Sequence, residues 1–183
     1  MLAELVRRAQ HGDEGAFEAI VEAVGDRCLA IAYRILRDVG IAEDAVQAAL
    51  TTAWRQLPAL RDPERFEAWL HRSLVHRCYA EAKRRGRGPN LLALASEPAF
   101  ARDETLNVED RDQLERGFLR LSPEQRAVLV FHYYLDLPVA EVAARLGIPL
   151  GTAKSRLRYG TEALRAALEA DARPATGVQE RTT

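Results

Sequence analysis

Forty residues from Leu121 to Gly160, LSPEQRAVLVFHYYLDLPVAEVAARLGIPLGTAKSRLRYG, leave little freedom in local structure. Ser122 is a natural N-cap, Pro123 suits the first helical position, and Gln125 completes a capping box three residues after the cap. Val128, Phe131 and Leu135 then supply an apolar face. The next segment, PVAEVAARL, predicts a short helix with Val139, Val142, Ala143 and Leu146 inward, and Gly147 can take the left-handed corner that ends it. Pro149 restarts the chain. In the third helix Ala153, Leu157, Leu164 and Leu168 pack inward, which leaves Thr152, Ser155, Arg156, Arg158, Tyr159 and Glu162 outward and Lys154 on the flank. The small residues Ala143, Gly147 and Ala153 let two helices cross closely, as a helix-turn-helix requires. The second helix of such a unit enters the major groove by its N-terminal turns, where Lys154, Arg156 and Arg158 can bond guanine edges or phosphates.

The remainder extends the helical pattern. Aromatic residues make up only 7% of the chain, and no run alternates apolar and polar residues as a strand does, so the expected fold class is all-α. Residues 1–88 read as helices throughout. In AEDAVQAALTTAWRQL, Val46, Leu50, Ala53 and Leu57 share one face with Trp54 at its edge, opposite Asp44, Gln47, Ala48, Thr51 and Arg55. After LPALRDPERF a further helix begins near Phe66 and runs through Trp69, Leu70, Leu74 and Cys78 into KRRGRG, where glycines end it. Residues 89–114 carry two prolines and scattered apolar residues without a sustained period. They read as an acidic linker with short helical pieces, too long for a loop within one compact domain. Two small helical domains are therefore expected, 1–88 and 115–170, followed by a disordered tail over 171–183.

A formal net charge of −1 conceals a segregated pattern. The net charge is −4 over residues 1–70, +5 over 71–88, −4 over 89–114, +2 over 115–170 and zero over 171–183. Two basic regions separated by an acidic stretch suit contact with a polyanion at two places.

Other function classes find little support. Cys28 and Cys78 stand in different segments and read as buried thiols. His71, His76 and Cys78 resemble a metal set in composition only, because His76 and Cys78 point to nearly opposite sides of one helix. No metal and no cofactor is expected. There is no phosphate-binding glycine loop, no HExxH and no nucleophile–base pair, so no enzyme activity is expected. The N-terminus lacks the apolar core of a signal peptide, and no apolar run approaches ~18 residues; no membrane insertion and a cytoplasmic location are expected.

The forty-residue stretch closely resembles region 4 of the extracytoplasmic-function (ECF) group of the sigma-70 family of bacterial transcription initiation factors. AFEAIVEAVGDRCLAIAYRIL, AEDAVQAALTTAWRQLPAL and FEAWLHRSLVHRCYAEAKRRGR resemble region 2, in the family's order. The resemblance implies a factor that binds RNA polymerase core and directs it to promoter DNA by reading −10 and −35 elements, with an anti-sigma factor as a common further partner. It places Asp44, Gln47, Thr51 and Arg55 against the polymerase clamp, with Ala48 replacing an acidic residue often found there. It assigns the −10 element to the loop Leu60 to Arg65 and the helix after it, hence to Arg61, Arg65, Trp69, Arg72, His76, Lys83, Arg84 and Arg85. Captured single-stranded bases and a basic track for the backbone fit those residue types. The −35 element falls to Thr152, Lys154, Ser155, Arg156, Arg158 and Tyr159. Compared with the family pattern, His76 replaces a frequent asparagine and Arg77 a small or apolar residue; in the recognition helix Tyr159-Gly160-Thr161 replaces a frequent Arg-Ala-Arg, so a −35 grip that is weaker or reads differently is expected. Near-neutral charge fits such a factor, because phosphate contacts add affinity without sequence information. A stand-alone helix-turn-helix regulator acting without polymerase is the alternative; it leaves residues 1–88 without a role.

Overall fold

The structure, a computed structural model, describes residues 1–85 and 108–171, with side chains over 1–84 and 113–169. All regular elements among these residues are helical. Helices α1 (Leu2–Gln10), α2 (Glu14–Leu36), α3 (Val39–Gln56) and α4 (Phe66–Arg85) form a first unit, and α5 (Val108–Leu119), α6 (Pro123–Leu129), α7 (Val139–Leu146) and α8 (Leu150–Asp171) a second. Most of the expected linker lies outside the described residues, as does all of the expected tail beyond Asp171. Helix α5 takes up the C-terminal part of the 89–114 segment.

Local signals set the helix ends. Asp13 caps α2 by accepting from the Ala16 N–H at 3.0 Å, and Asp38 caps α3 through the Ile41 N–H at 3.0 Å. The Ala16 N–H and the Arg8 guanidinium hold the Asp13 carboxyl below its usual range. The Ser122–Gln125 capping box forms in both directions, at 3.2 and 2.9 Å. Gly147 ends α7 at φ +67°, the left-handed corner expected of it.

After α6 the chain widens into a π-helical turn over Val130–Tyr134, closed by the Leu135 N–H on the Val130 carbonyl at 3.1 Å. The wider turn lets the adjacent Val130 and Phe131 both face the core while Tyr133 and Tyr134 remain at the surface. His132 Nδ1, 2.8 Å from the Leu137 carbonyl, braces the corner into α7.

Ile20, Ile31 and Ile35 of α2, Ala49 and Ala53 of α3, and Phe66, Leu70 and Leu74 of α4 build the core of the first unit. Val128, Phe131, Val142 and Leu146 of the second unit belong to that same buried cluster. The two units are therefore packed together, not merely tethered.

Candidate nucleic-acid and protein interfaces

Helix α3 buries Ile41, Ala42, Ala45, Val46, Ala49 and Ala53. Asp44, Gln47, Thr51 and Arg55 all remain exposed on the opposite face, one polar stripe at helical spacing. The Thr51 hydroxyl donates to the Gln47 carbonyl at 2.7 Å, which ties that side chain to its own helix. Beside this face runs a groove between α2 and α3, floored by Leu29, Val46 and Leu50 and rimmed by Asp26, Glu43 and Gln47. The α3 periodicity marks the stripe; the α2 side of the groove is visible only once the helices pack. An apolar floor with an acidic rim suits an amphipathic partner carrying positive charge.

The loop before α4 is held by residues that the sequence reading left without a role. Gln10 of α1 donates from Nε2 to the carbonyls of Leu57 and Leu60 at 3.0 and 2.7 Å, and Arg7 pairs with Glu64 at 3.1 Å. Asp62 accepts from the Glu64 N–H at 3.1 Å and starts the turn Pro63–Arg65. Arg61 and Arg65 are exposed, the latter 3.3 Å from Asp62. Trp69 is half-buried against Phe66, with ring centroids 5.9 Å apart. Trp69, Arg72, His76 and Lys83 follow one another along one side of α4, and the last three are exposed. Arg84 is exposed and bonded to Glu81 at 2.6 Å; the side chain of Arg85 lies outside the described residues. Arg77 donates to the Thr52 hydroxyl at 3.0 Å and thereby ties α4 to α3.

His71 and Cys78 fall in the core whereas His76 is exposed. Among the described residues no three metal-ligating side chains gather. Burial lowers the His71 imidazole to about 4, assisted by the Arg145 and Arg27 charges. Burial raises both cysteine thiols to about 12.

On α8, Lys154, Arg158 and Tyr159 are exposed and Ala153 is fully buried. Arg158 lies 3.5 Å from Glu162, with its guanidinium 4.2 Å from the Tyr159 ring centre. Thr152, Ser155 and Arg156, expected to face outward, are instead half-buried. Helical spacing identified their face but could not reveal what lies near it. The Arg156 charge acts on Tyr79 of α4, whose phenol burial pushes upward and whose buried hydroxyl has no hydrogen-bond partner among the described residues. Gly160 is buried; a Cβ there would stand 3.2 Å from Leu129 Cδ1. The Tyr159-Gly160-Thr161 departure thus includes one residue that serves the crossing of α6 and α8 and presents no side chain to DNA.

A buried-glycine helix crossing, a left-handed corner and an exposed basic helix make a helix-turn-helix, here joined to a second helical unit with an exposed polar stripe of its own. Comparison with known proteins gives the same class. The family models "Sigma-70 region 2" and "Sigma-70, region 4" match residues 20–88 and 111–164. The ECF RNA polymerase sigma factor SigL of Mycobacterium tuberculosis is 32% identical over 167 residues, covering 86% of this chain and 94% of that protein. SigW of Bacillus subtilis, also an ECF RNA polymerase sigma factor, is 27% identical over 178 residues, covering 90% and 95%. Among solved structures, CnrH in complex with the cytosolic domain of CnrY superposes with a TM-score of 0.65 at 26% identity, covering 93% of this chain and 98% of that one. The sigma factor RpoE of Bartonella quintana, in complex with the anti-sigma factor NepR, shares the fold at the same TM-score and 24% identity.

The chain belongs to the ECF group of the sigma-70 family. It is a transcription initiation factor whose partners are RNA polymerase and promoter DNA.

Proposed function

We propose that the two functions of the factor divide between the two units as follows. Asp44, Gln47, Thr51 and Arg55, with the α2–α3 groove beside them, dock on polymerase core. Arg61, Arg65, Trp69, Arg72, His76, Lys83, Arg84 and Arg85 form the −10 reader. Thr152, Lys154, Ser155, Arg156, Arg158 and Tyr159 form the −35 reader. The carrying observation is the exposed α3 stripe, four polar side chains in register on the face opposite a fully apolar one. A stand-alone DNA-binding protein has no use for such a face, and polymerase docking gives it one. The factor acts where the polymerase is, in the cytoplasm; among the described residues no helix is long and apolar enough to cross a membrane. An anti-sigma protein is a further proposed partner, supported by the likeness to CnrH held by the cytosolic domain of another protein.

The test is to add the protein to core polymerase and genomic DNA and to sequence the RNA starts that arise. The wild-type chain should create a distinct set of starts sharing two upstream motifs. Asp44→Arg combined with Gln47→Ala should abolish most of them while leaving helix content unchanged. Footprints on DNA that are the same with and without core would overturn the assignment in favour of a stand-alone regulator.

A further inference from the structure

Between α3 and α4 the chain runs through two short 3₁₀ turns, Leu57–Ala59 and Pro63–Arg65. Its own bonds are local. The Leu60 N–H donates to the Leu57 carbonyl at 3.1 Å, the Arg65 N–H to the Asp62 carbonyl at 3.0 Å, and the Glu64 N–H to the Asp62 carboxylate at 3.1 Å. Each of these bonds closes one turn, and none runs from the first turn to the second. Every hydrogen bond that reaches this loop from a distant element, among the described residues, starts on α1.

Gln10, the last residue of α1, makes two of them. Its Nε2 donates to the Leu57 carbonyl at 3.0 Å and to the Leu60 carbonyl at 2.7 Å, so both N–H groups of the amide are engaged, one on each side of the first turn. Leu57 follows the last residue of α3, where carbonyls lack intrahelical partners and take whatever donor is near. The amide is itself held in place. Val6 and Ala9 anchor α1 in the core of the first unit, and Arg8 closes the turn into α2 by reaching Asp13 Oδ2 from Nε at 2.9 Å and from Nη2 at 2.7 Å. A donor on so fixed a frame dictates where the carbonyls of the loop sit.

The other tie from α1 is weaker. The Arg7 and Glu64 side chains are 49% and 71% exposed, and an ion pair so open to water contributes little. Arg61 directly follows the Leu60 carbonyl that Gln10 holds, and Arg65 and Trp69 follow the second turn. A base captured in a loop is read only where the loop geometry is held to within about 0.5 Å. The region 2 family model matches this loop but begins at residue 20, beyond the helix that shapes it.

We propose that Gln10 is a positioning residue for −10 recognition: from α1, without touching DNA, it sets the course of the Leu60 to Arg65 loop and thereby which bases the loop accepts. The inference deepens the −10 assignment made above and rests on it; its test separates the two.

The full-length chain is added to core polymerase on two promoter pools, one randomised over the −10 element and one over the −35 element, each built on a promoter found by sequencing RNA starts. Gln10→Met removes both donors at similar volume. Gln10→Glu keeps the shape but turns acceptors toward the carbonyls, and it remains the test should Gln10→Met lose helix content. Both should flatten the preference at one or more −10 positions by at least about fivefold, the equivalent of one net hydrogen bond. The ranking in the −35 pool, core affinity and helix content should not change, and amide hydrogen exchange over Leu60 to Phe66 should quicken. Arg7→Met, which loses only the exposed ion pair, should keep the ranking of the unmodified chain. An equal effect of Arg7→Met would assign the loop to α1 as a whole and overturn the role of Gln10. A uniform loss over both pools would make Gln10 a general stabilising contact and overturn the proposal, as would unchanged exchange. Should Arg61→Ala and Arg65→Ala shift the −10 ranking while both Gln10 variants leave it intact, Gln10 fails and the −10 assignment stands. Should neither arginine variant shift the ranking, the −10 assignment fails and the role of Gln10 in reading falls with it.

Discussion

His71 should make the fold sensitive to mild acid, and the size of the effect follows from its surroundings. The side chain is 1% exposed, edge-on to Phe131, with the Arg145 guanidinium 3.5 Å from Nδ1. Burial is the larger cause of its depressed pKa; the Arg145 and Arg27 charges add to it. The folded imidazole titrates at about 4, whereas an unfolded histidine titrates near ~6.5. Between those values the unfolded chain binds a proton that the folded chain refuses. The stabilisation is therefore complete above about pH 6.5 and is lost as the pH falls toward about 4. At ~1.4 kcal/mol per unit, folding should weaken by on the order of 2 kcal/mol between about pH 7 and about pH 5. Urea unfolding of the wild-type chain and of His71→Gln at both pH values isolates this term, because all other titrating groups are common to the two proteins. The wild-type chain should lose about 2 kcal/mol more than the variant over that interval. Equal losses would show that the imidazole is not held neutral in the folded chain.

Two smaller perturbations test other links. Arg158→Ala should cost ~1–3 kcal/mol of promoter affinity in the polymerase complex and relax selectivity at one −35 position; a uniform loss over all −35 variants would make it a phosphate contact. Ser122→Ala breaks the capping box at the start of α6 and should lower stability by about 1 kcal/mol in chemical denaturation, with no change in core binding.

Much of this architecture is written locally. The Ser122–Pro123–Gln125 start, the Gly147 corner and the two faces of α3 depend on residues within a turn or two of each other, and each is found where its spacing puts it. Arg126 illustrates the opposite case. Nothing in PEQRAVL marks it for burial, because its acceptor Ile35 is 91 positions away in sequence. His71 and Gly160 are similar: a polar ring and a missing side chain carry no label of burial until α6 and α7 close over them. Of the site, the α3 stripe and the exposed Lys154, Arg158 and Tyr159 were legible, since helical period alone selects them. The half-burial of Thr152, Ser155 and Arg156 was not, since it depends on the neighbours of α8.

The two cysteines have a consequence for how the factor meets its environment. Cys28 and Cys78 are 1% and 0% exposed, and their thiols are pushed up to about 12. Peroxide and disulfide reagents attack the thiolate, the form that this burial disfavours. In the folded form neither thiol presents an accessible, ionised sulfur to an oxidant. A cysteine-based response to oxidants therefore requires the core of the first unit to open before either sulfur can react.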